Sequence, residues 1–382
     1  MRLVLTTNFS PWSTYSGGGQ RSTHQLASAL VSRGHHVTVV YTKGALDRID
    51  APKNLPYDVV WAPFFGLRSS RQAPLRPLNA ISVRNAVRKI AETSGLDAVH
   101  CQGEEGALLD GLRDTYDFRL IVTPRYPWYP KRLRPNRNLL DQARLWLFDA
   151  KYPVLGRLIR AADRICPTSR SAAEGIEEAY GVSSNRIEVI PNGINPVFWS
   201  KDWAQNLADG DVLFFGRLAK DKGVDVLLKA MDSVPRTLHI VGRGDEEASL
   251  RQYAAKLGID SRVKWTSWCV PEDLVDLIAS ASVIALPSLH ESFGNVMAET
   301  LAMGAPLVST HTGSIPEVSG ESAWLVPPND ADALATTINR VLDGDDESRT
   351  RAKSGQAHVR NMFHWDAVAA QFERVYSSVS VQ

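Results

Sequence analysis

Cysteine is scarce in this chain. The three present, Cys101, Cys166 and Cys269, share no ligand-like spacing, so neither a disulfide scaffold nor a zinc site is expected. They read instead as buried thiols in a reducing cytosol. A long apolar run is missing too, and no stretch reaches the length that spans a membrane. The opening Met1-Arg2-Leu3-Val4-Leu5 reads as a short strand and lacks the charged-then-apolar layout of a secretory signal. The expected location is therefore cytoplasmic. There is no excess of either charge, since 43 Lys/Arg face 42 Asp/Glu for a net +1. With no nucleic-acid-reading motif either, a nucleic-acid partner is disfavoured. Internal repeats and low-complexity tracts are absent.

At 382 residues, 44% hydrophobic and 22% charged, the chain is ordinary globular material and longer than one core usually supports. Short apolar runs alternate with longer amphipathic ones, which predicts α/β domains with parallel sheets covered by helices. In the first half the pattern predicts strands at Leu3–Thr6, Val37–Tyr41, Val59–Ala62, Ala98–His100, Leu120–Thr123, Ile165–Pro167 and Ile187–Ile190. It predicts helices at Gln20–Arg33, Leu78–Thr93, Glu105–Arg113, Asn138–Ala162 and Arg170–Tyr180. Pro191-Asn192-Gly193 is a turn signal, and a linker is expected over Asn195–Gly210. The second half repeats the alternation, from a strand at Val212–Phe215 to a helix at Asp330–Leu342. A last amphipathic segment follows Trp365.

Two motifs carry chemistry. Gly216-Arg217-Leu218-Ala219-Lys220-Asp221-Lys222-Gly223 follows the apolar run Val212–Phe215. A glycine after a strand lets a ligand approach the backbone, and the Arg fork with the Lys point charge suits a diphosphate. Alone, two solvated cations on a loop would serve as well. Glu291-Ser-Phe-Gly-Asn-Val-Met-Ala-Glu299 places two carboxylates eight residues apart after the strand ending at Leu286. A helix opening at Phe293–Gly294 would aim free N–H groups at an anion. The two carboxylates would then stand about 10 Å apart along it, able to hold hydroxyls of two sugars. Three Asp-x-Asp triplets, at Asp209, Asp330 and Asp343, fall in the linker and in late surface turns, and no metal is expected.

Together these motifs resemble the nucleotide-sugar-dependent retaining glycosyltransferases of family 4. Ser16-Gly17-Gly18-Gly19-Gln20-Arg21 is similar to that family's glycine-rich first loop. Ile190-Pro191-Asn192-Gly193-Ile194 is similar to its interdomain linker, and His364-Trp365-Asp366 to the start of its closing helix. The resemblance implies the GT-B architecture. In it, two Rossmann-like doubly wound domains (1–190, acceptor-binding; 191–362, donor-binding) face each other across a cleft. A C-terminal helix (363–382) crosses back to the first. It implies transfer of a hexose, with retention, from a nucleotide-diphosphate sugar to a hydroxyl acceptor: a cell-envelope lipid, a polysaccharide or a natural product.

Arg217, Lys222 and Glu291 are then the expected catalytic residues. Gly17, Gly18, Gly19, Gly216, Phe293, Gly294, Glu299 and Arg125 are the expected nucleotide-sugar contacts. Glu299 would hold the ribose and Glu291 the transferred sugar. Gly242-Arg243-Gly244 and Trp268 would flank the nucleotide. The donor is a substrate, and no cofactor is expected.

The chain departs from the pattern at Thr123-Pro124-Arg125, where many relatives read Thr-x-His. Arg cannot serve as a base at neutral pH. It can bind a donor phosphate, a sugar carboxylate or an acidic acceptor, and His100 is a possible substitute for the missing His. The departure keeps open a nucleotide-sugar-binding protein with impaired catalysis, and a phosphorolytic or sucrose-forming relative on the same fold is a further alternative.

Charge is unevenly spread. Residues 1–190 hold 26 Lys/Arg and 17 Asp/Glu, while 191–382 hold 17 and 25. In the first half Trp61, Phe64 and Phe65 precede Arg68, Arg71 and Arg76. Tyr126, Trp128 and Tyr129 precede Lys131, Arg132 and Arg134. Such a basic, aromatic face suits either an anionic acceptor or peripheral contact with the inner face of a membrane. Solvated cations over core rings are the plainer alternative.

Overall fold

The computed structural model describes residues 1–13, 17–44, 47–65, 76–125, 153–204, 210–267, 269–344 and 346–378. Two compact units divide the chain: Met1–Gly193 with Trp365–Gln382, and Ile194–His364.

In the first unit β1 (Arg2–Thr7), α1 (Gly18–Ser32), β2 (His36–Gly44), β3 (Asp58–Phe64), α2 (Arg76–Ser94), β4 (Ala98–Cys101), β5 (Arg119–Val122), α3 (Pro153–Ala161), β6 (Arg164–Ile165) and α4 (Arg170–Tyr180) follow in order. The strands form one six-stranded parallel sheet, ordered β3-β2-β1-β4-β5-β6. A parallel sheet is covered on both faces, so its strands are continuously apolar. Along β1 the period of two separates the layers. Leu3 and Leu5 pack with Leu26 and Leu30 of α1, whereas Val4 packs with Val87 of α2 and Leu158 of α3.

The second unit holds β7 (Val212–Phe215), α5 (Val224–Ala230), β8 (Leu238–Val241), α6 (Glu247–Lys256), β9 (Val263–Thr266), α7 (Pro271–Ser280), β10 (Val283–Leu286), α8 (Asn295–Ala302), β11 (Leu307–Thr310), α9 (Ile315–Ser319), β12 (Trp324–Val326), α10 (Ala331–Leu342) and α11 (Asp346–Met362). Its sheet is again six-stranded and parallel, in the order β12-β11-β10-β7-β8-β9.

The chain then returns to the first unit as α12 (Trp365–Ser378). Val368, Phe372, Val375 and Tyr376 bury the stripe that its helical spacing predicts. The Trp365 indole lies over Gly193, where a Cβ would meet the ring at 2.3 Å. Arg33, at the end of α1, donates to Asp366 and Glu373 at 2.7 Å each, and His35 meets the other Glu373 oxygen.

Two sequence expectations need correction, and one lies partly outside the described residues. Glu105–Arg113 is not an α-helix but two 3₁₀ turns, Glu104–Gly106 and Asp110–Leu112. Gly106 sits so close to the Cys101 side chain that a Cβ would meet the sulfur at 2.2 Å, so packing overrode the helical period. Ile187–Ile190 forms only an isolated bridge between Ile187 and Ile165. The helix Asn138–Ala162 is described only from Pro153 onward.

His100 is a core residue and no substitute base. Its Nδ1 lies 2.8 Å from the Tyr376 hydroxyl of α12, and its Nε2 lies 2.8 Å from Thr123 Oγ1. Burial pushes its pKa down to about 3, with the Arg125 charge adding to the effect. The unfolded chain takes up this proton near pH 6.5, so it binds more protons than the folded unit between those values. Stability of the first unit therefore falls as pH drops through that window. Hydrogen exchange of the α12 amides should accelerate between pH 6.5 and 4 after correction for intrinsic rates. A His100→Gln variant should flatten that dependence. An unchanged slope in the variant would remove His100 as its source.

Candidate active site

The second sheet reverses its strand order at the β7–β10 pair, the point at which the carboxyl ends of a doubly wound sheet leave room for a ligand. The loops after these two neighbouring strands carry the two motifs and meet there. Lys222 Nζ donates to Glu291 Oε1 at 2.6 Å across 69 positions of sequence. Ser288 Oγ donates to the same oxygen at 2.9 Å. The Glu291 carbonyl accepts from both the backbone N–H and the hydroxyl of Ser314, at 3.1 Å each. Both charges are largely buried, with side-chain exposures of 17% and 10%. Asp221 lies 3.6 Å from the same Lys222 nitrogen. Burial, then the Lys222 charge, pushes the neighbouring His290 down to about 4.

Arg217 differs. Its side chain is 67% exposed and meets Asp221 only at 3.4 Å. The fork is thus presented to solvent beside a lysine paired with Glu291.

Gly223 makes the meeting possible. Its φ is +63°, and a Cβ there would stand 2.2 Å from the Pro287 carbonyl oxygen, in the loop that carries Glu291. A side chain would separate the two loops. The loop after β8 is fitted as closely: a Cβ on Gly242 would meet the Gly216 carbonyl at 1.9 Å. Gly242 and Gly244 therefore pack against the Gly216–Leu218 backbone, a structural role that the sequence reading did not assign.

Helix α8 opens at Asn295, two residues later than expected, because Gly294 adopts the left-handed conformation as its N-cap. The Phe293 side chain is core, edge-on to Phe363 at 5.2 Å, and is not presented to a ligand. Glu299 stands at the start of the second turn of α8, half-buried.

Among the described residues no group of three or more His, Cys, Asp or Glu could hold a metal. Asp330 caps α10 through the Ala333 N–H at 2.9 Å, and Asp211 pairs with Lys264 at 2.9 Å. Asp209, Asp345 and Trp268 lie outside the described residues.

In the first unit the order reverses between β1 and β4. Gly17 caps α1 and donates to Gln20 Oε1 at 3.0 Å, while Gly18 and Gly19 begin the helix with first-turn N–H groups that have no acceptor within it. Arg125, after β5, lies against Gly19: a Cβ there would be 3.2 Å from Arg125 Cδ. Its Nε donates to Gln102 Oε1 at 2.7 Å and its Nη1 to Asn192 Oδ1. Burial pulls its pKa down to about 10, partly offset by Glu105. Glu105 is itself pushed up to about 8 by burial and by Glu104. Its Oε1 accepts from Thr6 Oγ1 and from the Gln102 N–H, both at 3.0 Å. The sequence reading missed Gln102, Glu105 and the side chain of Asn192. For Gln102 and Glu105 the only signal is a polar cluster directly after the buried strand β4, and for Asn192 the Pro-Asn-Gly turn.

Of the expected basic, aromatic face, Trp61 packs against Tyr41 and Phe64 against Phe9, while Phe65 is exposed. Arg68, Arg71, Tyr126, Trp128, Tyr129, Lys131, Arg132 and Arg134, like the Arg76 side chain, lie outside what is described.

The clasp between the loops can be tested directly. Gly223→Ala should destabilise the second unit by about 1–3 kcal/mol, the range for a non-glycine residue forced into a disfavoured conformation. It should also free Lys222 from Glu291. Denaturant unfolding checks the first effect, and the ¹⁵Nζ chemical shift of Lys222 at fixed pH the second. Wild-type stability with an unmoved Lys222 signal would contradict it.

Comparison with known proteins agrees with the geometry. The family described as Glycosyltransferase Family 4 matches residues 16–198, and that described as Glycosyl transferases group 1 matches residues 209–344. The MMP alpha-(1->4)-mannosyltransferase of Mycolicibacterium hassiacum is 31% identical over 233 residues, covering 58% of this chain and 55% of that protein. The D-inositol 3-phosphate glycosyltransferase of Acidothermus cellulolyticus is 28% identical over 396 residues, covering 94% and 85%. With several curated relatives, then, the match spans little more than half of their length. Among solved structures, sucrose-phosphate synthase from Thermosynechococcus elongatus superposes with a TM-score of 0.81 at 22% identity, over 99% of this chain and 98% of that one. Anabaena HepE, solved with UDP and glucose, superposes with a TM-score of 0.75 at 20% identity, over 99% and 100%. With its two doubly wound sheets in the GT-B arrangement of elements and both halves matched, the chain belongs to the family-4 type of glycosyltransferases.

Proposed function

We propose that the chain transfers a hexosyl group from a nucleotide-diphosphate sugar to a hydroxyl acceptor, with retention and without a metal. The observation that carries this reading is the meeting of Lys222 and Glu291 at the switch point of the second sheet, beside an exposed Arg217. Lys222 keeps further N–H donors beyond the one given to Glu291. With Arg217, whose charge is the exposed one, it offers N–H donors to the diphosphate, whose charge grows as the bond from the anomeric carbon to the β-phosphate oxygen breaks. The acceptor oxygen bonds to that carbon on the same face, and its proton passes to the departing phosphate. The protein's part is positioning and electrostatic support.

In this reading Glu299 accepts from the ribose hydroxyls and the free Oε2 of Glu291 faces the transferred sugar. The backbone around Gly216, Phe293 and Gly294 approaches the donor, and Gly17, Gly18 and Gly19 offer N–H groups to an anion. A UDP donor is the first to try, since HepE was solved with UDP and glucose. The acceptor belongs to the cell-envelope, polysaccharide or natural-product classes. A cytoplasmic enzyme touching a membrane only peripherally fits this reading. Among the described residues no helix is long and apolar enough to cross one.

Donor hydrolysis and transfer across UDP-, GDP- and dTDP-sugars test the reading. Activity should persist in excess EDTA. Arg217→Ala and Lys222→Ala should each lower it by about a hundredfold, as for loss of a charge-stabilising donor. Glu299→Gln should weaken binding of the nucleoside diphosphate alone, seen by calorimetry. Full loss on chelation restored by Mg²⁺, or near-native turnover in both cation variants, would overturn the corresponding assignment.

A further inference from the structure

The first unit contains a polar cluster that the donor chemistry above does not use. Arg125 carries five N–H donors and no acceptor. It can therefore bond only to the oxygen of the Gln102 amide, and that contact fixes the amide's orientation: Oε1 toward Arg125, Nε2 away from it. Gln102 is 4% exposed, and its Nε2 has no hydrogen-bond partner among the described residues. A buried amide nitrogen is seldom left so, because each unmet donor costs free energy.

The charge beside it is equally unspent. Among the described residues the Arg125 guanidinium donates to Gln102 Oε1 and Asn192 Oδ1, both neutral amide oxygens. The nearby carboxyl of Glu105 bonds to Thr6 and to the Gln102 backbone rather than to Arg125. Its pKa of about 8 keeps it protonated at neutral pH. His100, close enough to feel the Arg125 charge, is neutral as well. One positive charge thus stands with three guanidinium N–H groups beyond the two in use, next to two orphaned amide N–H groups. Gly19 leaves the arginine stem the space to lie there.

We propose that Arg125 and the Gln102 amide form a carboxylate-binding site in the first unit, and that one of the sugars handled there is acidic. This rests on the glycosyltransferase reading. A single cation and a fan of N–H donors match a flat monoanion with two oxygens. A phosphate dianion would want a second cation, and Glu104 lies on the same turn as Glu105. The carboxylate could belong to the donor sugar or to the acceptor; the chemistry is the same.

The test uses the full chain. Glucuronate, glucose 6-phosphate and glucose are titrated by calorimetry, and UDP separately. Glucuronate should bind, glucose 6-phosphate more weakly, and glucose not measurably. Arg125→Lys, which keeps the charge but loses the fork, should weaken glucuronate by about ten- to a hundredfold. Gln102→Glu should abolish its binding while still giving Arg125 a partner, so the fold is kept. UDP affinity should not change in either variant. Tighter binding of UDP-glucuronate than UDP-glucose, lost in Arg125→Lys, places the carboxylate on the donor. Equal binding of the two, with glucuronate still bound at saturating UDP, places it on the acceptor. Glucose binding as well as glucuronate, glucose 6-phosphate binding more tightly, or variants that bind glucuronate as the wild type does would overturn the site. If no nucleoside diphosphate binds while glucuronate does, the transferase reading fails and this site stands.

Discussion

The second unit is organised around one ion pair. Lys222 and Glu291 come from loops that leave neighbouring parallel strands in the same direction, and their contact sets the spacing of everything attached to those loops. Burial makes such a pair expensive to form and more expensive to break, since either charge alone would be stranded. Its value lies in placement more than in stability. Ser288 and Ser314 hold the carboxylate and its carbonyl, and Gly223 removes the atom that would keep the loops apart. Arg217, tied only loosely to Asp221, is left available to a ligand.

The first unit meets the same topological situation with different chemistry. At its own switch point the charge is held by neutral amides, and the nearest carboxyl is kept protonated by burial. An ion pair neutralises itself, whereas an amide cradle leaves its arginine charge available. Arg125 stands where many relatives of the resembled family carry histidine, and here the histidine of the region, His100, is spent on joining β4 to the returning helix α12. The substitution therefore changes what the unit can attract as well as removing a ring.

Much of the fold was legible because it rests on short-range patterns. Val212–Phe215 and Arg170–Tyr180 appear at the residues the periodicity predicts, and the strand predicted at Ala98–His100 lies within β4. A continuous apolar run bounded by glycine or proline has few other places to go. The failures share one cause. The helix expected at Glu105–Arg113 was displaced by the contact of Gly106 with Cys101, and the start of α8 by the left-handed Gly294. In both, a neighbour or a backbone conformation prevailed over local propensity.

The candidate site divides in the same way. The sequence by itself determined which residues could carry the chemistry: a fork and a point charge after one strand, two carboxylates after another, and glycines where a backbone must come close. These follow from residue type and spacing alone. Only the tertiary structure decided that Lys222 is already paired with Glu291 while Arg217 is exposed, that His100 is core, and that Gln102, Asn192 and Glu105 gather around Arg125. Pairing, burial and charge state depend on groups tens to hundreds of positions apart, and a parallel sheet brings such groups together only when its strand order is known.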